Sequence, residues 1–211
     1  VNKGEDVLFS SLESVLMEDG LKDAFSGESM GNTGETVAFE HGISRAESDK
    51  FSVRSHQLAN NAWEEGWLEE EVFPVGSLTR DEGIRPGTNE EALSGLRTVF
   101  SEDGQVTAGN ASQVSDGASA VLIASEEAAE ELGLPVLARI VEYATSGVEA
   151  SRVMSAPIPT VRMLLEKTGR SIGEIDIIEH NEAFASASCA IRKSLEAVSY
   201  THLTLPTKVS V

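Results

Sequence analysis

Ile175-Asp176-Ile177-Ile178-Glu179-His180-Asn181-Glu182-Ala183-Phe184 is an apolar run that breaks into a polar cluster and then returns to an apolar pattern. Residues 175–178 have the pattern of a buried strand, and 183–195 returns to helical spacing, with Phe184, Ala187, Ile191 and Leu195 on one broad face. A strand that hands over to a helix through polar residues is where an open α/β sheet presents groups to a ligand. The junction sets the fold class as α/β and places a candidate ligand cleft near Asn181.

Working backwards, residues 157–168 predict an amphipathic helix stopped by Gly169, and Ser171 with Glu174 forms a capping box. Residues 119–124 read as a buried strand, Ser125 caps an acidic helix ending at Gly133, and 136–144 is strand-like again. That alternation is α/β. The first 100 residues are more irregular and predict a separate subdomain. Ser44 and Glu47 make a capping box for a helix running to about residue 66, with Phe51, Leu58, Ala59, Ala62 and Trp63 on an apolar stripe. Trp63 is read as packing. Residues 71–75 read as a short edge strand interrupted by Pro74.

Residues 76–105 are rich in turns and hold one short helical run near 90–96. Thr107-Ala108-Gly109-Asn110-Ala111-Ser112 follows, a small-residue loop whose backbone could approach a ligand closely. Residues 7–25 mix apolar and acidic residues and contain the turn signal Asp19-Gly20. No fixed-period repeat is present. The last stretch, SYTHLTLPTKVSV over 199–211, changes character: glycine and acids vanish. It reads either as an ordinary terminal strand or as sequence foreign to the fold.

Composition narrows the function classes. The 211 residues are long enough for one large domain or two small ones, and 40% hydrophobic with 24% charged residues fits a globular chain. A formal charge of −19, from 35 acidic and 16 basic residues, repels nucleic acid and anionic membranes. The acids fall in short blocks that read as solvated helix faces. The single cysteine, Cys189, excludes an internal disulfide and suits a cytoplasmic setting. Four scattered histidines offer no metal-ligand spacing, and no run has the length of a transmembrane helix. The chain opens at Val1 rather than Met, which reads as a processed, trimmed or partial sequence.

Two roles fit Asn181. Its amide could hold a water or a carbonyl in oxyanion stabilisation, or its oxygen could cap the following helix, which is the commoner use of asparagine there. Glu179 and Glu182 are acid-base candidates whose bland reading is solvated carboxylate; in a strand, Glu179 and Asn181 share one face and His180 the other. Cys189, inside the last predicted helix, reads as a buried structural thiol rather than a nucleophile. Arg85 and Arg97 are candidate phosphate clamps, with surface ion pairing as the default for both. The glycines form neither a dinucleotide fingerprint nor a Walker loop.

Five blocks, Glu28-Ser29-Met30-Gly31-Asn32-Thr33-Gly34-Glu35, Ile43-Ser44-Arg45, residues 106–117, Pro157-Ile158-Pro159 and Asn181-Glu182-Ala183-Phe184, together resemble the thiolases in order and spacing. The resemblance covers about residues 1–198. It implies a partial thiolase-like fold: 1–125 resembles the loop-domain region, 126–150 the return into the N-terminal α/β half, and 151–198 the start of the C-terminal half. Residues 199–211 are unlike the family, and a foreign terminus is the preferred reading of them.

The resemblance further implies acyl transfer between acyl-CoA and coenzyme A, by thiolysis of a 3-ketoacyl-CoA or the reverse Claisen condensation. Coenzyme A would be a substrate, no cofactor would be tightly bound, and the full-length parent would be a homo-oligomer, a dimer or tetramer. Carried over by position, Asn181 would orient an oxyanion-hole water, and Met30 and Phe184 would line the substrate channel. Arg97 would approach the nucleotide of coenzyme A and Ser125 its pantetheine, while Ser29 stands where several members have His. Glu182 matches a family residue and is assigned structural support. The nucleophilic Cys and the Gly-His-Pro histidine of the family match nothing in this chain, so these 211 residues are expected to be inactive alone. The alternative is a non-catalytic coenzyme A-binding or oligomerisation module.

Overall fold

Side-chain caps start four of the helices. A computed structural model describes residues 14–196, and its α-helices in chain order are α1 Met30–His41, α2 Arg45–Glu64, α3 Glu90–Ser94, α4 Glu126–Glu131, α5 Pro157–Thr168 and α6 Ala185–Leu195. Ser29, Ser44, Asn89 and Ser125 each accept a backbone N–H from the first turn of the helix that follows. The Ser44–Glu47 box is complete, with the Glu47 carboxylate accepting the Ser44 N–H at 2.8 Å. The Ser171–Glu174 box also closes, around a single 3₁₀ turn, Ile172–Glu174. Gly169, in the left-handed conformation, ends α5.

α6 is the central element. Residues 185–191 are all buried, more completely than the one-sided pattern of the sequence predicts, because α1, α2 and α5 surround the helix. Val37 and Ala38 of α1 pack with Ile43, Phe51, Ala185, Cys189 and Ala190; Ile158 of α5 packs with Ile191 and Leu195. A third cluster joins Val106, Phe184 and Ala187, flanked by Met30 and Phe100. α1 approaches this cluster closely: a Cβ at Gly31 would collide with the Phe100 ring.

Polar groups fix the loop after α3 to this body. The Glu35 carboxylate accepts the N–H groups of Gln105 (2.8 Å) and Val106 (2.8 Å). Asp49, almost fully buried, pairs with the Arg45 guanidinium at 2.7 Å and accepts the Asn110 amide at 3.0 Å. The Asn110 side chain also donates to the Gln105 carbonyl and accepts the Thr107 N–H at 2.8 Å. Arg45 reaches on to the carbonyls of Leu93 and Leu96, which ties α3 into the same network.

The predicted strands are corrected. Among the described residues β-pairing consists of isolated bridges, such as Ala111 with Phe184 and Thr98 with Thr107. Residues 119–124 and 136–144 form neither helix nor ladder, and their apolar side chains are exposed: Leu122 and Leu137 are both 81% accessible. Residues 175–178 form no ladder either; Ile178 makes a single β-bridge and packs against the core, while Ile177 is exposed. At 71–75 the chain turns instead, with Val75 bridged to Leu78. The reason is physical. An apolar run records that a segment is suited to burial, but a strand exists only where a neighbour supplies N–H and C=O partners. The 7–13 part of the mixed N-terminal segment and the 199–211 stretch lie outside the described residues.

Candidate active site

A cleft of about 510 Å³ is bounded by α2, the segment 81–85, the loop 108–115 and the corner that carries Asn181 and Glu182. Its α2 wall consists of Ser52, Ser55, His56 and Ala59, with Phe51 beside them. That i, i+3, i+4, i+7 spacing gives a helix face of small and polar side chains, which lets the other walls stand off.

The corner is tethered on every side of Asn181. Ser112 N–H donates to the Ala183 carbonyl and Ala185 N–H to the Asn110 carbonyl, both at 2.9 Å, so the 110–112 loop is zipped to the start of α6. The Ser55 hydroxyl donates to the Glu182 carboxylate at 2.8 Å. On the other side, His180 Nε2 lies 2.9 Å from the hydroxyl of Ser188, a fully buried residue of α6. The Asn181 side-chain amide makes no hydrogen bond among the described residues, and it lines the cleft. The capping role open to Asn181 is not the one it takes: α6 begins at Ala185, its N-cap residue is Phe184, and no side chain caps it.

Burial dominates the electrostatics here. It pushes the Glu182 carboxyl up to about 7, against the pull of the Ser55 hydrogen bond and Arg54 and with a further push from Glu179. Glu179 is raised by the same cause. His180 is lowered by burial, opposed by a hydrogen bond to the Asn181 backbone, and His56 is lowered by burial and the neighbouring Arg85 charge. Burial pushes the Cys189 thiol to about 11, and its sulfur faces the Glu47 carbonyl at 3.8 Å. Cys189 is therefore a packed, protonated thiol.

The structure brings some of the sequence candidates together and separates others. Asn181, Glu182, Arg85 and the 108–112 loop share the cleft. Met30 and Phe184 pack together with Val106, Phe184 edge-on to Phe100 at a centroid distance of 6.3 Å, in a layer that does not line it. Arg97 is exposed and lies outside the cleft lining; Ser125 is the exposed cap of α4. Sequence reasoning missed Ser52, Ser55 and His56, which the α2 spacing could have revealed as a polar face.

The arrangement offers an amide unpaired among the described residues beside a carboxyl that burial pushes up to about 7, with an exposed guanidinium lining the same space. It is suited to a ligand that is polar at one end and anionic at the other. Among the described residues no group of three or more His, Cys, Asp or Glu side chains could hold a metal ion. No helix among them is long and apolar enough to cross a membrane.

Two family models match the chain: "Thiolase, N-terminal domain" over residues 3–127 and "Thiolase, C-terminal domain" over 134–206. The chain is 44% identical over 188 residues to an acetyl-CoA acetyltransferase of Paracoccus denitrificans, covering 85% of this chain and 48% of that one. It is 43% identical over 195 residues to the acetyl-CoA acetyltransferase of Pseudomonas aeruginosa, covering 88% and 50%. The crystal structure of human mitochondrial 3-ketoacyl-CoA thiolase in complex with CoA superposes with a TM-score of 0.83 at 40% identity, covering 87% of this chain and 48% of that chain. The Bacillus anthracis acetyl-CoA acetyltransferase gives 0.82 at 36% identity, covering 87% and 49%. The chain thus spans about half the length of the curated relatives it matches.

Proposed function

The chain belongs to the thiolase family, and on that premise we propose that it serves acyl transfer between acyl-CoA and coenzyme A. The reaction is thiolysis of a 3-ketoacyl-CoA or the reverse condensation, and coenzyme A is a substrate rather than a bound cofactor. The chain supplies one wall of the site. Asn181 orients the water that donates to the thioester oxyanion, because its amide is unpaired and its neighbours are pinned on both sides. Glu182 anchors that corner to α2 through Ser55.

We assign the phosphate contact to Arg85, which lines the same cleft as Asn181, and the pantetheine arm to the backbone around 108–112. Arg97 and Ser125 would serve an extended ligand only beyond the cleft. The carrying observation is the sharing of one cleft by the Asn181 amide and the Arg85 guanidinium. Met30 and Phe184 support the channel from behind through the Val106 cluster. The parent assembles as a homo-oligomer in this reading.

Cys189, the one cysteine of the 211 residues, is buried and protonated, so the chain alone turns over no acetoacetyl-CoA. It does bind coenzyme A, and Arg85→Ala weakens that binding about tenfold while Arg97→Ala changes it less than twofold. Calorimetric titration of the 211-residue chain with coenzyme A reads both. Equal losses for the two arginine variants, or ordinary turnover of acetoacetyl-CoA by the chain, would sink the assignment.

A further inference from the structure

The segment 80–86 crosses the α2 face as a strap. Arg80 anchors its first end: the guanidinium donates to Glu64 and Asn60, each at 3.0 Å, and lies over the Trp63 ring at 5.6 Å. Trp63 Nε1 donates back to the Asp81 carboxylate at 3.2 Å. The far end has a single α2 anchor among the described residues, the Arg85 N–H donated to His56 Nδ1 at 3.3 Å. Between the two ends, the end of the Gln113 side chain lies against Gly83, in the space that a Cβ there would occupy. Asn60, Trp63, Glu64 and His56 share one α2 face, so the strap is laid along a single helix.

We infer that His56 is a positioning residue: its neutral imidazole, by accepting the Arg85 N–H, holds the Arg85 guanidinium over the cleft where an anionic ligand group binds. The inference rests on the reading of Arg85 as the phosphate contact. Geometry makes it specific. Acceptance at Nδ1 requires the proton on Nε2, and a second proton turns Nδ1 into a donor and breaks the tether. Burial and the Arg85 charge both hold the ring below its ordinary value of 6.5, so the acceptor form prevails at neutral pH. The charged groups lining the cleft with it are Arg85 and Asp81 from the strap and Glu182 from the corner; the 108–115 loop contributes none. Ligand affinity at acid pH is a mixed signal, since a charged imidazole also attracts an anion. The Arg85 amide reports the tether directly.

The test uses the 211-residue chain. Amide exchange, expressed as a protection factor, is measured at Arg85 in wild type, His56→Ala and His56→Asn, from pH 7.5 down through the titration of the His56 ring, which its own ring protons report. His56→Ala is expected to lower protection at least tenfold. His56→Asn, whose carbonyl oxygen sits near the place of Nδ1, is expected to restore most of it and to remove its pH dependence. Wild type is expected to lose protection at Arg85 as pH falls through the titration of the His56 ring, which burial and the Arg85 charge place below 6.5, while the α2 amides keep theirs, a readout that stands even where His56→Ala does not fold.

Coenzyme A titration at pH 7.5 supplies the second arm. His56→Ala weakens binding about fivefold, and the double variant with Arg85→Ala binds no more weakly than Arg85→Ala alone. Unchanged Arg85 protection in His56→Ala, or in wild type once the His56 ring has taken up its second proton, overturns the inference, as do losses that multiply in the double variant. Binding that is indifferent to Arg85→Ala overturns the functional reading instead, while the exchange result still decides the tether.

Discussion

Residues 119–124 and 185–195 both carry the apolar patterns of buried elements, yet the two stretches end in opposite environments. In α6, Ile191 is 1% exposed; in the other stretch, Leu122 is 81% exposed. The difference lies in what each element needs. A helix satisfies its own backbone and requires only side-chain neighbours, which α1, α2 and α5 supply. A strand needs a backbone partner before its side chains have a surface to cover. Within the described residues the helical half of the pattern is satisfied, and the strand half is not.

Substitution in the satisfied region sharpens this contrast most strongly. Ile191→Ala removes a side chain packed against Ile158 and Leu195 and should cost about 4 kcal/mol. Urea unfolding followed by circular dichroism would measure it. A cost below about 1 kcal/mol would mean that α6 is not the organising helix. Asn110→Ala comes next, at about 3 kcal/mol, because it strands the Thr107 N–H and leaves the buried Asp49 carboxylate with one partner fewer. Its signature is local: exchange should rise over 105–112 before the helices open.

Those two residues also show what the sequence made legible. Ile191 lies on a face readable from spacing alone, as do the Ser44 and Ser125 caps, because periodicity and capping are local. The role of Asn110 is not local. Its partner Asp49 is 61 positions away, and Glu35 reaches 70 positions to Gln105, so the resemblance marks Asn110 and Glu35 but neither partner. At the site, Asn181 and the small-residue loop were legible as a junction and a close-approach segment. The tethers to Ser55 and Ser188 were not, because they depend on how α2 and α6 lie against the corner. The strand patterns were legible as apolar runs but not as ladders, because the pairing partner that decides them is not among the described residues.

The corner should respond to pH in a direction that burial fixes. Burial pushes the Glu182 carboxyl up to about 7 in the folded chain, from an ordinary value of 4.5. A group raised in this way adds its stability fully below the unfolded value and loses it as pH rises through the folded one. Glu182→Gln, which keeps an acceptor for Ser55, should leave stability unchanged at pH 4.5. At pH 8 it should stabilise by about 2 kcal/mol, since partial exposure reduces the roughly 3 kcal/mol that the full interval implies. Unfolding at pH 4.5, 6 and 8 would test the trend. A variant that is less stable than wild type at pH 8 would show that the ionised carboxylate is needed, and the corner would then belong with charged sites rather than packed ones.

The smallest predicted effect bears most directly on the contrast. Leu122→Ser and Leu137→Ser remove apolar side chains that face solvent, so each should change unfolding free energy by less than about 0.5 kcal/mol. The same exposure makes them a liability. Val121, Leu122 and Ile123 in one stretch and Val136, Leu137, Ile140 and Val141 in the other offer apolar surface whose backbone has no ladder partner among the described residues, the combination that favours association through strand edges. The double variant should therefore shift sedimentation toward monomer at fixed concentration while leaving the urea midpoint in place. A loss of 2 kcal/mol or more from either substitution would place these residues in a core, and the line drawn between the two regions would vanish. An unchanged midpoint with reduced association would locate that line in backbone pairing, since the same side-chain chemistry is present on both sides of it.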